Sequence, residues 1–151
     1  MSFAPWVPSR SRDLSRIFKL ADLQDGQIFY DLGCGDARMV IAAARAYHVK
    51  SLGIEIVPPL YFWAKFRQWL NRDLLINIKF GSLFKADLSD ANVVYLFGLP
   101  KNVSGRLKTK LEKELKPGSR VVSYAFHIEG WTPAQVDQKD KSQIAIYVYQ
   151  R

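Results

Sequence analysis

Apolar runs alternate with helix-period stretches along most of this chain. Ile28 to Leu32, Lys50 to Ile56, Leu75 to Phe80, Val93 to Phe97 and Arg120 to Phe126 have the length and composition of buried strands. Between them lie segments with helical spacing. Leu14, Ile17, Phe18, Ala21 and Leu23 predict a helix that begins at a Ser9 or Ser11 cap. Ala37 to Tyr47 predicts a second, with Asp36 as its cap, and Leu60 to Arg72 a third, with Pro59 in its first turn. Val103, Leu107, Leu111 and Leu115 repeat every four residues and predict a fourth. Such alternation predicts an α/β, Rossmann-like, doubly wound and mostly parallel sheet with helices on both faces. Ligands of such sheets bind at the carboxyl ends of the strands. The last strand, expected over Gln143 to Tyr149, follows a segment with Gly130, Pro133 and a polar run from Asp137 to Lys141. A full helix does not fit there, so a hairpin-like return and an antiparallel C-terminal strand are expected. Residues 1–151 read as a single domain with an extended arm over 1–9, where Pro5 and Pro8 disfavour helix.

One stretch organises this pattern. The first strand ends in Asp31-Leu32-Gly33-Cys34-Gly35-Asp36-Ala37-Arg38, and the second ends in Glu55. Gly33 and Gly35 let the backbone turn sharply and a ligand approach it. Glu55 stands where a carboxylate accepts both hydroxyls of a ribose. A dinucleotide fingerprint would place glycine where Arg38 stands, and Asp31 and Asp36 crowd the turn with negative charge that a pyrophosphate would not tolerate. A ligand with an amino group or a sulfonium fits better. Asp-x-Gly-x-Gly with a late acid resembles the S-adenosyl-L-methionine (SAM) site of the class I methyltransferases, and this chain would be a minimal core of that superfamily. The resemblance implies SAM as cofactor and S-adenosyl-L-homocysteine (SAH) as product.

The third helix holds Phe62, Phe66 and Trp69 on one face at i, i+4 and i+7. A stripe of this kind is ordinarily core. Lys65, Arg67 and Arg72 flank it, and that would also suit a surface where a partner or a membrane docks.

Composition narrows the class. The 151 residues are 48% hydrophobic and 24% charged, as in a soluble globular protein. No apolar run is long enough to span a membrane and no secretory signal is evident, so a cytoplasmic setting is expected. The single cysteine, Cys34, suits a reducing compartment and reads as a small spacer in the glycine turn. A net charge of +8 attracts acidic partners: nucleic acid, an anionic membrane surface or an acidic protein. With only His48 and His127, no metal cluster is expected. His48 reads as structural at a helix end, and His127 as a possible base.

Methyl transfer from a sulfonium needs alignment and dryness more than acid–base groups. The groups expected to face the methyl are Trp6 in the arm, Phe97, Gly98, Leu99 and Pro100 after strand four, and Tyr124, Phe126 and His127 after strand five. Of these, Trp6, Phe97 and Tyr124 are the candidate channel residues. Strand four lacks the Asn-Pro-Pro-Tyr ending of amino-directed methyltransferases, and no second cysteine exists to attack a pyrimidine. An aromatic slot suits a lysine amine, because desolvation favours its neutral, nucleophilic form.

Further pieces resemble one group within the superfamily. They are Ala-Pro-Trp-Val-Pro-Ser in the arm, Val-Val-Tyr-Leu-Phe-Gly-Leu-Pro on strand four, and Lys-Pro-Gly-Ser-Arg-Val-Val-Ser-Tyr-Ala-Phe followed by Gly130-Trp131. The group is the small protein-lysine methyltransferases of archaea and their mitochondrial relatives, which modify the adenine nucleotide translocase and the ATP synthase c-subunit. By matching position, Asp31, Gly33 and Gly35 would hold the methionine end and Glu55 the ribose. Cys34, Asp36, Ile56, Leu83 and Phe97 would line the site, and the arm from Trp6 through Pro8 to Ser9 would close over it. Trp6 replaces a usual tyrosine and Ala37 a usual glycine. Ser82 replaces an aspartate that binds the adenine amino group, which implies weaker cofactor binding. A protein substrate is implied. RNA or a small molecule as substrate, a SAM binder without activity, and an NAD-type dehydrogenase are the alternatives.

Overall fold

The computed structural model describes residues 11–98 and 101–151, with backbone alone at 101 and 102. Seven strands form one sheet, β1 (Ile28–Leu32), β2 (Lys50–Glu55), β3 (Ile76–Phe80), β4 (Val93–Phe97), β5 (Arg120–Tyr124), β6 (Gln135–Asp137) and β7 (Ile146–Gln150). Their order is β3-β2-β1-β4-β5-β7-β6. The first five are parallel, and β7 runs antiparallel to both β5 and β6. The antiparallel final strand is therefore present, and β6 with β7 forms the expected return. The order reverses between β1 and β4, so the topological switch point lies at the carboxyl end of β1.

The strands read as unbroken apolar runs because both faces are covered. Tyr30, Leu32, Val94, Leu96 and Val121 face one side and pack on Leu107, Leu111 and Leu115 of helix α4 (Lys101–Glu114) and the turn after it. Phe29, Val93, Tyr95, Val122 and Tyr124 face the other. There they meet Ile17, Phe18 and Ala21 of α1 (Leu14–Ala21), and Met39 and Ala43 of α2 (Arg38–Tyr47). A short 3₁₀ turn, Ser11–Asp13, precedes α1, and Asp13 gives no side-chain cap. The chain leaves α2 at His48, which is left-handed and donates its amide to the Ala44 carbonyl.

Helix α3 (Pro58–Leu70) departs from its expected packing. Both prolines sit in its first turn, where their missing amides are not needed. Of its residues only Ala64 is buried, while Phe62, Trp63, Phe66, Trp69 and Leu70 are all exposed. The aromatic stripe is not core. The inward face instead carries Ala64 and Gln68. The Gln68 amide donates to the Ile76 carbonyl at 3.0 Å and accepts from the Ile78 amide at 3.1 Å, so it covers the free edge of β3. The helix is attached by a small contact and a polar clamp.

Gly53 of β2 pairs with Asp31 on one side and Ile78 on the other. A Cβ at Gly53 would lie 2.6 Å from Cys34 Sγ, 2.8 Å from Cys34 Cβ and 2.9 Å from Ile78 Cδ1. The glycine thus makes room for the turn's own side chain. Gly53→Ala is expected to destabilise the protein by about 1–3 kcal/mol through overpacking, read by chemical denaturation.

Candidate functional site

The glycine turn closes the carboxyl end of β1 against that of β2. Gly33 and Gly35 are left-handed, at φ 84° and 55°. The amides of Gly33 and Cys34 donate to the Ile54 carbonyl at 2.8 and 3.0 Å. The Gly35 amide donates to Glu55 Oε2 at 2.8 Å, and Glu55 Oε1 accepts from the amides of Ile56 and Val57 at 2.9 Å each. Three of the roughly four acceptor positions of this carboxylate are thereby used. A Cβ on Gly33 would meet nothing within 4 Å, so open space lies over the turn.

The three acids here are in different states. Asp36 ion-pairs with Arg38 at 2.9 Å and Arg67 at 3.4 Å and accepts from the Arg38 amide. Burial alone would raise its pKa, but the Arg38 hydrogen bonds and the two guanidinium charges hold it below the ordinary carboxylate range. Helix α2 begins one residue later than expected, after Ala37, which is left-handed at φ 64° and makes no side-chain cap. Ala37 holds the conformation that glycine would take most cheaply. Asp31 is 3% exposed, and no hydrogen bond or ion pair with a described residue engages its carboxylate. Burial, reinforced by the charges of Glu55 and Asp36, pushes its pKa well above the usual value. An acid left in this state, beside open space and a second carboxylate, fits a cationic ligand and disfavours a phosphate. The residues present therefore suit SAM.

Ser82 follows β3 and is half-buried, and its Oγ accepts from the Phe84 amide at 3.2 Å. Leu83 is buried and Ile56 half-buried. At the tips of β4 and β5, the Phe97 ring packs edge-on against Tyr124 at 4.9 Å and lies 6.1 Å from Phe126. Tyr124 is fully buried and its hydroxyl donates to Asp13. Burial would raise the Asp13 pKa, but the hydrogen bonds from Tyr124 and Arg16 lower it overall. Arg16 in turn bonds Asp137 at 3.0 Å and the Ile144 carbonyl at 3.2 Å. This network ties α1 to β5 and β6, and the sequence reading missed it. Asp13 and Arg16 are three apart on one helix face, but nothing local points to partners more than a hundred residues away. His127 is exposed and lies against Tyr147 and Tyr149 at 5.4 and 6.1 Å, the rings of the α4 side. Trp6, Pro8, Ser9, Leu99 and Pro100 lie outside the described residues, as does the expected 1–9 arm. Among the described residues no group of three or more His, Cys, Asp or Glu could hold a metal ion.

Residues 31–135 match the family described as the ANTKMT methyltransferase domain. The chain belongs to this methyltransferase family. It is 38% identical to a protein-lysine N-methyltransferase of Saccharolobus islandicus (strain REY15A), over 96% of this chain and 92% of that one. It is 34% identical to the ATP synthase c-subunit lysine N-methyltransferase of Rattus norvegicus, covering 85% of this chain and 59% of the rat protein. Among solved structures, an RNA methyltransferase from Salinibacter ruber in complex with SAH superposes with a TM-score of 0.87 at 36% identity, covering 95% of this chain and 93% of that one. The chain is a SAM-dependent methyltransferase with the mostly parallel sheet and antiparallel end expected of the class. No described helix is long and apolar enough to cross a membrane.

Because the folded pKa of Asp31 exceeds the unfolded one, the contribution of Asp31 to the stability of the ligand-free protein is fully present below the ordinary carboxylate range and is lost as pH rises through the raised value. Asp31→Asn removes that loss. Its stability relative to the parent protein is expected to grow with pH across this window, by at most about 1.4 kcal/mol per pH unit. Denaturant titrations of both proteins at several pH values check this, and a pH-independent difference would contradict it.

Proposed function

We propose that this enzyme transfers a methyl group from SAM to the side-chain amine of a protein lysine. The observation that carries the reading is the aromatic tip of β4 and β5, where Phe97 packs between Tyr124 and Phe126 with no amide-holding motif beside it. The end-to-end similarity to a lysine methyltransferase supports it. A sulfonium supplies an already activated methyl, which a neutral amine takes through its nitrogen lone pair while the C–S pair stays on sulfur and SAH leaves. The chain's task is to align and to dry. Phe97 and Phe126, with Trp6 from the arm, exclude water and disfavour the charged ammonium, so that the lysine sheds its proton to solvent on entry. Tyr124 holds Phe97 in place and is itself fixed by Asp13. Asp31 offers its carboxylate to the cationic methionine end, Gly33 and Gly35 give that end room, and Glu55 receives the ribose. Cys34, Asp36, Ile56 and Leu83 line the site, and Pro8 closes it with Trp6. Ser82 accepts from the adenine amino group as a neutral side chain. The single, buried Cys34 suits a reducing compartment, and we place the reaction in the cytoplasm.

RNA is the second reading, favoured by the +8 charge and by the name of the Salinibacter ruber protein. Tritiated SAM supplied with protein or with RNA from a lysate separates the two: label is expected in protein, released as methylated lysine on hydrolysis. Label in RNA alone would overturn the lysine assignment.

Two variants test the cofactor roles by calorimetric titration with SAH. Glu55→Gln keeps one acceptor oxygen but loses the charge and the second, and is expected to weaken SAH about tenfold or more, since hydrogen bonds to charged groups contribute about 1.5–3 kcal/mol. Ser82→Asp is expected to tighten SAH several-fold by adding a charged acceptor for the adenine amine. Unchanged affinity in Glu55→Gln would sink the ribose assignment.

A further inference from the structure

The outward face of α3 is an apolar strip that the fold does not use. Phe62, Trp63, Phe66, Trp69 and Leu70 lie on it, each between 47% and 68% exposed. Trp63, Phe66 and Trp69 stack in series, with ring centres 5.6 and 6.0 Å apart, so the strip is preformed. Tyr61 and the exposed Phe80 carry it to the tip of β3, just before Ser82. An exposed apolar area of this kind on a soluble protein marks an interaction surface.

Charge indicates the occupant. From Ile56 to Ala86 the chain holds Lys65, Arg67, Arg72, Lys79 and Lys85 against one acid, Asp73. By helical angle Lys65 and Arg67 border the strip on opposite sides. Arg67 is shared with Asp36, whereas Lys65 bonds only the neutral Gln68 amide among the described residues, and Arg72 lies 5.6 Å over the Trp69 ring. Trp and Phe bordered by Lys and Arg is the composition of a helix that lies in a bilayer interface: rings at headgroup depth, cations toward anionic lipid.

We propose that α3 docks this face on the surface of an anionic lipid bilayer. The reading goes beyond methyl transfer and does not depend on it. A second copy fits less well. Face-to-face docking would set these cations against their own equivalents, and the Gln68 clamp occupies the β3 edge that strand pairing would need. Single-stranded RNA also fits less well, since Trp63, Phe66 and Trp69 spend ring faces on one another instead of offering them to bases.

The test is co-sedimentation of the full chain with vesicles of phosphatidylcholine alone or mixed with phosphatidylglycerol, with tryptophan emission followed in parallel. Binding and a blue shift are expected with the mixed vesicles. Phe66→Glu and Trp69→Glu are exposed positions, so their thermal unfolding should match the parent protein while vesicle binding falls about tenfold or more, because each variant removes a large ring and adds a like charge. Arg72→Gln and Lys79→Gln should each cost about fivefold. The proposal is overturned by absence of binding to mixed vesicles, or by undiminished binding in both glutamate variants. Light scattering that shows a dimer abolished by Trp69→Glu, or retention of an oligonucleotide that the same variant loses, would overturn it in favour of those occupants.

Discussion

A carboxylate taken out of water must be met by donors, and Glu55 meets three backbone amides, from Gly35, Ile56 and Val57. Those bonds gather the glycine turn, the end of β2 and the entry to α3 on one side chain. Backbone amides can do this without a counter-cation, because several aligned dipoles stabilise an anion in a low-dielectric site. The position of the turn, and with it the shape of the cofactor end, depends on that carboxylate.

The neighbouring acids show how one small region divides its charge. Asp36 is neutralised within the protein by Arg38 and Arg67, the latter reaching across from α3. Asp31 is left without a match among the described residues. Among the described residues, Asp31 and Glu55 are therefore the acids of this region without a paired cation, and Asp36 contributes less than its place in the sequence suggests. Arg67 also bonds the Asp36 carbonyl at 2.7 Å, so the same guanidinium that quenches the acid pins the turn to the helix.

Most of the sheet, its antiparallel end and the glycine turn were legible in the sequence, because strand runs, left-handed glycines and the late acid are local signals. The fourfold spacing from Val103 to Leu115 correctly marked a buried helix face. The α3 stripe failed for an identifiable reason. Periodicity tells which residues share a face, but not whether that face turns inward. Gln68 settled the orientation by bonding β3, and a polar side chain at helical spacing gives no sign of that in advance. The Tyr124, Asp13, Arg16 and Asp137 chain was equally hidden, since it joins residues brought together only by the complete sheet.

Cys34 has a consequence beyond its small size. It is buried in the turn, packed into the space that Gly53 vacates, and burial together with the charges of Asp31 and Glu55 raises its pKa well above that of a free thiol. The thiolate, and not the thiol, reacts with electrophiles. Alkylation at this position must therefore wait for the turn to lift away from β2. The molecule carries, at the centre of its cofactor end, a native reporter whose labelling rate counts local opening events and slows when that opening is suppressed.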